Sequence, residues 1–147
     1  MHIIPGETLW LGHNGNLSEL KALWDADIEA VVDVAIDEPF PELSREFIYC
    51  RFPLFDGGGN EPRLLQTAIV TTAQLLRGKI PTLVTCSMGM SRSPAIAAAA
   101  LAVYHNQSLD EWLHKVSSVK SLDLSLDLWT DVANTVSELQ SPDKVGS

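Results

Sequence analysis

The stretch TLVTCSMGMSRSPAIAAAALAV, Thr82 to Val103, decides the fold. Thr82 to Thr85 is apolar on both faces, the pattern of a central strand in a covered sheet. Ala95 to Val103 is an apolar run of nine residues. That is far short of the roughly twenty needed to cross a bilayer, so it reads as a buried helix. Ser93 can cap this helix, and Pro94 fits its first position. A strand, a compact loop and a helix start point successive backbone N–H groups and the positive end of a helix dipole into one concavity. Gly89, at mid-loop, can take a backbone conformation that a side chain would obstruct, and Arg92 offers a planar fork of donors at the rim. Cys86 lies at the base, where amides and a guanidinium favour its thiolate. Such a site binds a dianion and can attack it. Cys50, the other cysteine, has Asp56 six residues on instead of an arginine and reads as a packed thiol.

Working outward, Thr8 to Leu11 suggests a short strand, and Asn16 with Glu19 suggests a capping box opening a helix through Leu17, Leu20, Leu23 and Trp24. Glu29 to Val34 is a second strand. Glu46 to Phe55 is a third, and Arg51 and Pro53 mark it as an edge. Asp56 to Asn60 forms a glycine-rich loop. Arg63 to Arg77 keeps helical spacing up to Gly78. Ser108 with Glu111 caps a helix through Trp112 and Val116, and Leu128 to Leu139 defines a last one. The order is strands and helices alternating, then helices alone, which gives an α/β fold. We expect one domain over residues 1–140 and a frayed tail over 141–147.

The chain has 147 residues, ten Lys plus Arg against nineteen Asp plus Glu, and a net charge of −9. That balance opposes non-specific binding to nucleic acid or to an anionic membrane. MHIIPGETLW lacks the pattern of a signal peptide, and two isolated cysteines do not make a disulfide scaffold, so a cytoplasmic location is expected. His2, His13, His105 and His114 have no ligand spacing, and no metal or other cofactor is expected.

TCSMGMSRSPAIAAAALAVY resembles the signature of the cysteine-dependent protein tyrosine phosphatases, specifically the small dual-specificity phosphatases. TLWLG at Thr8 to Gly12, IEAVVDVA at Ile28 to Ala35 and the helical carboxyl-terminal third resemble family elements as well. The resemblance implies a central mixed sheet of about four to five strands flanked by helices. It implies Cys86 as nucleophile and Arg92 as phosphate clamp. The backbone of Ser87, Met88, Gly89, Met90, Ser91 and Arg92 would form the cradle, and Ser93 would be the hydroxyl that steadies the thiolate. Asp56, on the loop thirty residues before Cys86, is the expected general acid; Asp37 and Glu61 are weaker candidates. Two departures stand out. Thr85 occupies the place of the family's histidine, and SLDLSLDLW offers no match to the family's asparagine region.

Met88 and Met90 make the variable loop positions apolar and leave Arg92 as the loop's sole cation, which disfavours a highly anionic substrate. The expected substrate is a phosphorylated protein, at tyrosine, serine or threonine, or a small phosphomonoester. The competing readings are a phosphate-binding pseudophosphatase and a rhodanese-like sulfur transferase.

Overall fold

The structure is a computed structural model, and residues 1–140 are described; the tail expected to fray lies outside them. Its sheet has the strand order β1-β2-β5-β3-β4, with β1 His2–Ile3, β2 Leu9–His13, β3 Ala30–Asp33, β4 Ile48–Arg51 and β5 Thr82–Cys86. The last four run parallel, and β1 pairs antiparallel to β2. The helices are α1 Leu20–Asp25, α2 Pro62–Arg77, α3 Arg92–His105, α4 Leu109–Val119 and α5 Leu126–Leu139. The mixed sheet, the flanking helices and the helical carboxyl-terminal third agree with expectation. Among the described residues, no helix is long and apolar enough to cross a membrane.

Alternation along the strands sorts the core into two layers. Leu9, Leu11, Ala30, Val32, Val84 and Cys86 face the large layer built with α2, α3, α4 and α5. Val31 and Leu83 face a smaller layer with Leu17, Leu23, Ile28 and Phe47. Helix α3 is buried from Arg92 through Ala102, with β5 on one side and α2, α4 and α5 around it. Its run of alanines suits that position, because a helix apolar all round and short in side chain can be approached closely from every direction.

Local chemistry moves several boundaries. Pro53 confines the third predicted strand to Ile48–Arg51, and the strand is an edge as its composition suggests. The expected capping box at Asn16 is built one turn earlier: Asn16 Oδ1 accepts the His13 N–H at 2.8 Å, and His13 Nδ1 accepts the Gly15 N–H, closing a 3-10 helix over Asn14–Ser18. Gly78 ends α2 in a right-handed conformation, and Lys79 takes the left-handed one with φ +56°. Helix α3 starts at Arg92 with Ser91 at its cap, so Ser93 and Pro94 lie inside the first turn. Ser93 is drawn away from capping because its hydroxyl serves the loop instead.

Register places the site. His13 is opposite Cys86, and Gly12 and Asp33 both flank Thr85, so β2, β5 and β3 end together at one edge. The connections leaving β3, β4 and β5 gather there, at the carboxyl ends of parallel strands where open α/β sheets bind ligands.

The alanine packing of α3 has a direct test. Ala98→Leu inserts volume into a fully buried position, and urea unfolding is expected to show a loss of about 2 kcal/mol.

Candidate active site

Cys86 is the last residue of β5 and is buried. The chain curls back over it, so that Gly89 N–H donates to Cys86 Sγ at 3.2 Å. The thiol lies 3.3 Å from Ser93 Oγ, and the Ser93 hydroxyl donates to the Gly12 carbonyl at 3.4 Å. Gly89 makes this curl possible. Its φ is +73°, and a Cβ there would stand 2.7 Å from the Gly12 oxygen and 2.5 Å from Lys120 Nζ.

Arg92 opens α3 with a side chain only 6% exposed. Nη1 donates to Asp37 Oδ1 at 2.7 Å and to the Leu54 carbonyl at 2.9 Å, and Nη2 donates to Ser87 Oγ at 3.1 Å. Ser87 in turn donates to Asp37 Oδ2 at 2.8 Å. Nε is buried without a partner. A guanidinium fixed by three hydrogen bonds and keeping an unpartnered N–H can take an oxyanion as a further acceptor. The Arg92 N–H holds the Asp37 carboxyl down at about 2, with help from Ser87 and against partial desolvation. Asp37 therefore stays a carboxylate at neutral pH and supports the clamp.

The connection carrying Asp37 is pinned from β4. Arg51 Nη2 donates to the carbonyls of Ala35, Ile36 and Glu38, the last at 2.8 Å, and its guanidinium lies 4.6 Å from the Phe40 ring. Asp33, buried at the end of β3, accepts from the Ala35 N–H and the Tyr49 hydroxyl.

Asp56 accepts from Ser91 Oγ at 2.6 Å, and the same Ser91 oxygen accepts the Ser125 N–H at 3.0 Å. One buried hydroxyl thus joins the Asp56 loop to the α4–α5 connection. The glycines after Asp56 form a braced turn: Asn60 accepts the Phe55 N–H and donates to the carbonyls of Phe55 and Gly57, and Asp131 accepts the Gly59 N–H. Glu61 is the cap residue of α2, as its position suggests.

Cys86, Arg92, Asp56, Met88, Met90 and Ser91 line one cavity of about 230 Å³, together with Asp123. Ser87 and Gly89 are not in that lining but bond to residues that are, Arg92 Nη2 donating to Ser87 and Gly89 N–H to Cys86. Among the described residues, a larger cleft of about 430 Å³ bounded by Glu7, His105, Trp112 and Lys115 has no cysteine or arginine in its lining. Among the described residues no group of three His, Cys, Asp or Glu side chains is placed to hold a metal ion.

Neither a family model nor a curated protein matches the sequence. Solved structures do match. Human DUSP28 superposes with a TM-score of 0.84 over 95% of this chain and 98% of its own, at 22% identity. The chain has the dual-specificity phosphatase fold. A leucine rich repeat and phosphatase domain containing protein from Entamoeba histolytica gives a TM-score of 0.76 at 18% identity, over 99% of this chain and 94% of its own. The human tyrosine phosphatase-like serine/threonine/tyrosine-interacting protein gives 0.75 at 18% identity, over 94% and 93%.

Within this dual-specificity phosphatase fold, several site residues escape sequence reading. Asp123 and Ser125 lie in the SLDLS segment, whose backbone closes on the loop through Asp123 N–H to the Met90 carbonyl at 2.9 Å. Lys120 sets a second cation behind Gly89, so Arg92 is not alone there. No local signal marks these residues, because the contacts span more than thirty positions. Thr85, which strand alternation turns to the face away from Cys86, is fully buried and its hydroxyl has no partner.

Gly89→Ala is expected to cost about 1–2 kcal/mol through its left-handed backbone and to abolish vanadate binding, read by unfolding and by titration. Asp37 has a folded pKa below its ordinary 3.8, so its contribution to stability is full above about pH 4 and is lost as pH falls through about 2. Asp37→Asn should flatten that acid limb in unfolding curves between pH 5 and 2. The slope it removes is shallow, because the Asp37 side chain is 56% exposed.

Proposed function

We propose that the chain is a cysteine-dependent, dual-specificity protein phosphatase, hydrolysing phosphotyrosine and phosphoserine or phosphothreonine through a phosphocysteine. The observation that carries this reading is the buried, unpartnered Nε of Arg92, a residue that lines one cavity with Cys86 and Asp56. A buried donor without an acceptor is costly unless a ligand supplies one. A phosphoryl oxygen fits its charge and geometry.

In the first step Cys86 Sγ attacks phosphorus in line. The S–P bond forms, the P–O bond to the leaving group breaks, and Asp56 gives its proton to the departing oxygen. Arg92 and the loop amides of Ser87 to Arg92 balance charge on the equatorial oxygens. In the second step water attacks the phosphocysteine, its proton passes to Asp56, and the S–P bond breaks to release phosphate. Ser93, 3.3 Å from Sγ, steadies the returning thiolate by turning its hydroxyl toward it. Neither step calls on a metal or an organic cofactor.

A cavity of about 230 Å³ walled by two methionines suits the tip of a phosphorylated side chain. The net charge of −9 opposes non-specific binding to nucleic acid and anionic membranes, in keeping with the proposed action in the cytoplasm on phosphoproteins. One feature favours a binding module without turnover: Thr85 stands where the resembled family has histidine, and its hydroxyl is idle.

Phosphate release from an aryl phosphate under reducing conditions, followed from pH 4.5 to 8, decides between them. Cys86→Ser should abolish turnover and Asp56→Asn should lower it roughly a hundredfold or more, with the natural chain fastest on the acid side of neutrality. An inert natural chain that still binds vanadate would overturn the hydrolase in favour of the binding module.

A further inference from the structure

Asp123 lines the same cavity as Cys86 and Arg92. Its backbone is fixed by the Met90 carbonyl, yet among the described residues its carboxylate has no ion-pair partner. Of the two cations near the loop, Arg92 is already shared with Asp37, and Lys120, behind Gly89, makes no ion pair with Asp123. A dianion seated on the free Arg92 Nε, whose side chain is 94% buried, is therefore repelled by an unneutralised carboxylate on the wall. A substrate carrying its own cation beside the phosphoryl group converts that repulsion into attraction.

The surroundings extend the pattern. Residues 121–140 contain four acidic side chains and no lysine or arginine. Of these, Asp127 packs alongside Gly58 and Asp131 holds Gly59, so the acidic face borders the Asp56 loop. Three of the most exposed large apolar side chains belong to the segments that form this cavity. Met88 is 72% exposed within the loop, Phe55 is 56% exposed beside Asp56, and Leu126 is 79% exposed beside Ser125. A small phosphomonoester leaves these in water, whereas a polypeptide covers them.

We propose that Asp123 is a cation subsite, and that the substrate is a protein segment with a lysine or arginine next to its phosphorylated residue. The subsite rests on the reading of Cys86 and Arg92 as a phosphoryl site.

The test measures binding by fluorescence anisotropy in the full chain carrying Cys86→Ser. It uses two labelled phosphotyrosine peptides that differ only in having arginine or alanine on both flanks. The arginine-flanked peptide is expected to bind roughly three- to fivefold more tightly at low salt, with the difference shrinking as salt is added. Adding Asp123→Asn should bring the ratio close to one while the alanine-flanked peptide binds no more weakly, a result that a damaged loop would not give. Equal affinities before the Asp123 change, or a ratio that survives it, overturn the subsite. Binding of neither peptide overturns both the subsite and the phosphoryl site. Aryl phosphate turnover by the natural chain separates the two ideas: turnover without an arginine preference removes the subsite alone, and an arginine preference without turnover removes the hydrolase alone.

Discussion

The carbonyl of Gly12, at the end of β2, is the point on which the site is folded. The loop after β5 turns back far enough for Gly89 to stand over that carbonyl in a left-handed conformation, and the Ser93 hydroxyl donates to the same oxygen. Gly12 has its own constraint, since a Cβ there would meet Asn16 Oδ1 at 2.6 Å and Leu83 Cδ1 at 2.9 Å. Gly89, in the loop after β5, thus permits a close approach to the backbone of β2 at Gly12. That approach brings the Gly89 amide to Cys86 Sγ. With a side chain at Gly89 the strands would still pair, but the loop could not close over the sulfur without a clash at the Gly12 carbonyl.

Around this point the charges are arranged in relays and not in isolated pairs. Arg51 grips the carbonyls of Ala35, Ile36 and Glu38, which fixes Asp37; Asp37 holds Arg92 and Ser87; and the buried Nε of Arg92 is left without a partner. A second relay runs from Ser125 through Ser91 to Asp56. Each relay links a different chain connection to the loop after β5, so the clamp and the candidate acid are positioned independently. Preorganisation of this kind keeps dipoles in place before a charge arrives, and that is where electrostatic stabilisation is most effective.

Much of this architecture is legible in local chemistry. The apolar faces of Thr82–Thr85 mark a central strand and β5 is one; Pro53 and Arg51 mark an edge and β4 is one; Ser108 accepts the Glu111 N–H as a cap should. Misreadings occur where a polar side chain had a second, distant use. Ser93 resembles a cap and serves Gly12 and Cys86. Asn16 resembles the start of a capping box and reaches back to His13. A hydroxyl or an amide has few bonds to give, and a buried loop outbids a local helix end for them.

The sequence by itself determined the elements that short-range patterning controls, namely the strand, loop and helix around Cys86, the spacing to Arg92, and the acidic balance of the chain. It also singled out Asp56 as a loop carboxylate. Tertiary structure alone decided what those groups face. Only the parallel register of β2, β5 and β3 brings Gly12, Cys86 and the Asp37 connection to one edge, and only the docking of the α4–α5 connection sets Asp123 in the cavity wall. The physical reason is range. Patterning and capping act within a few residues, whereas Arg92 meets Asp37 across 55 positions and Ser91 meets Asp56 across 35. Contacts of that length exist only once the sheet has formed.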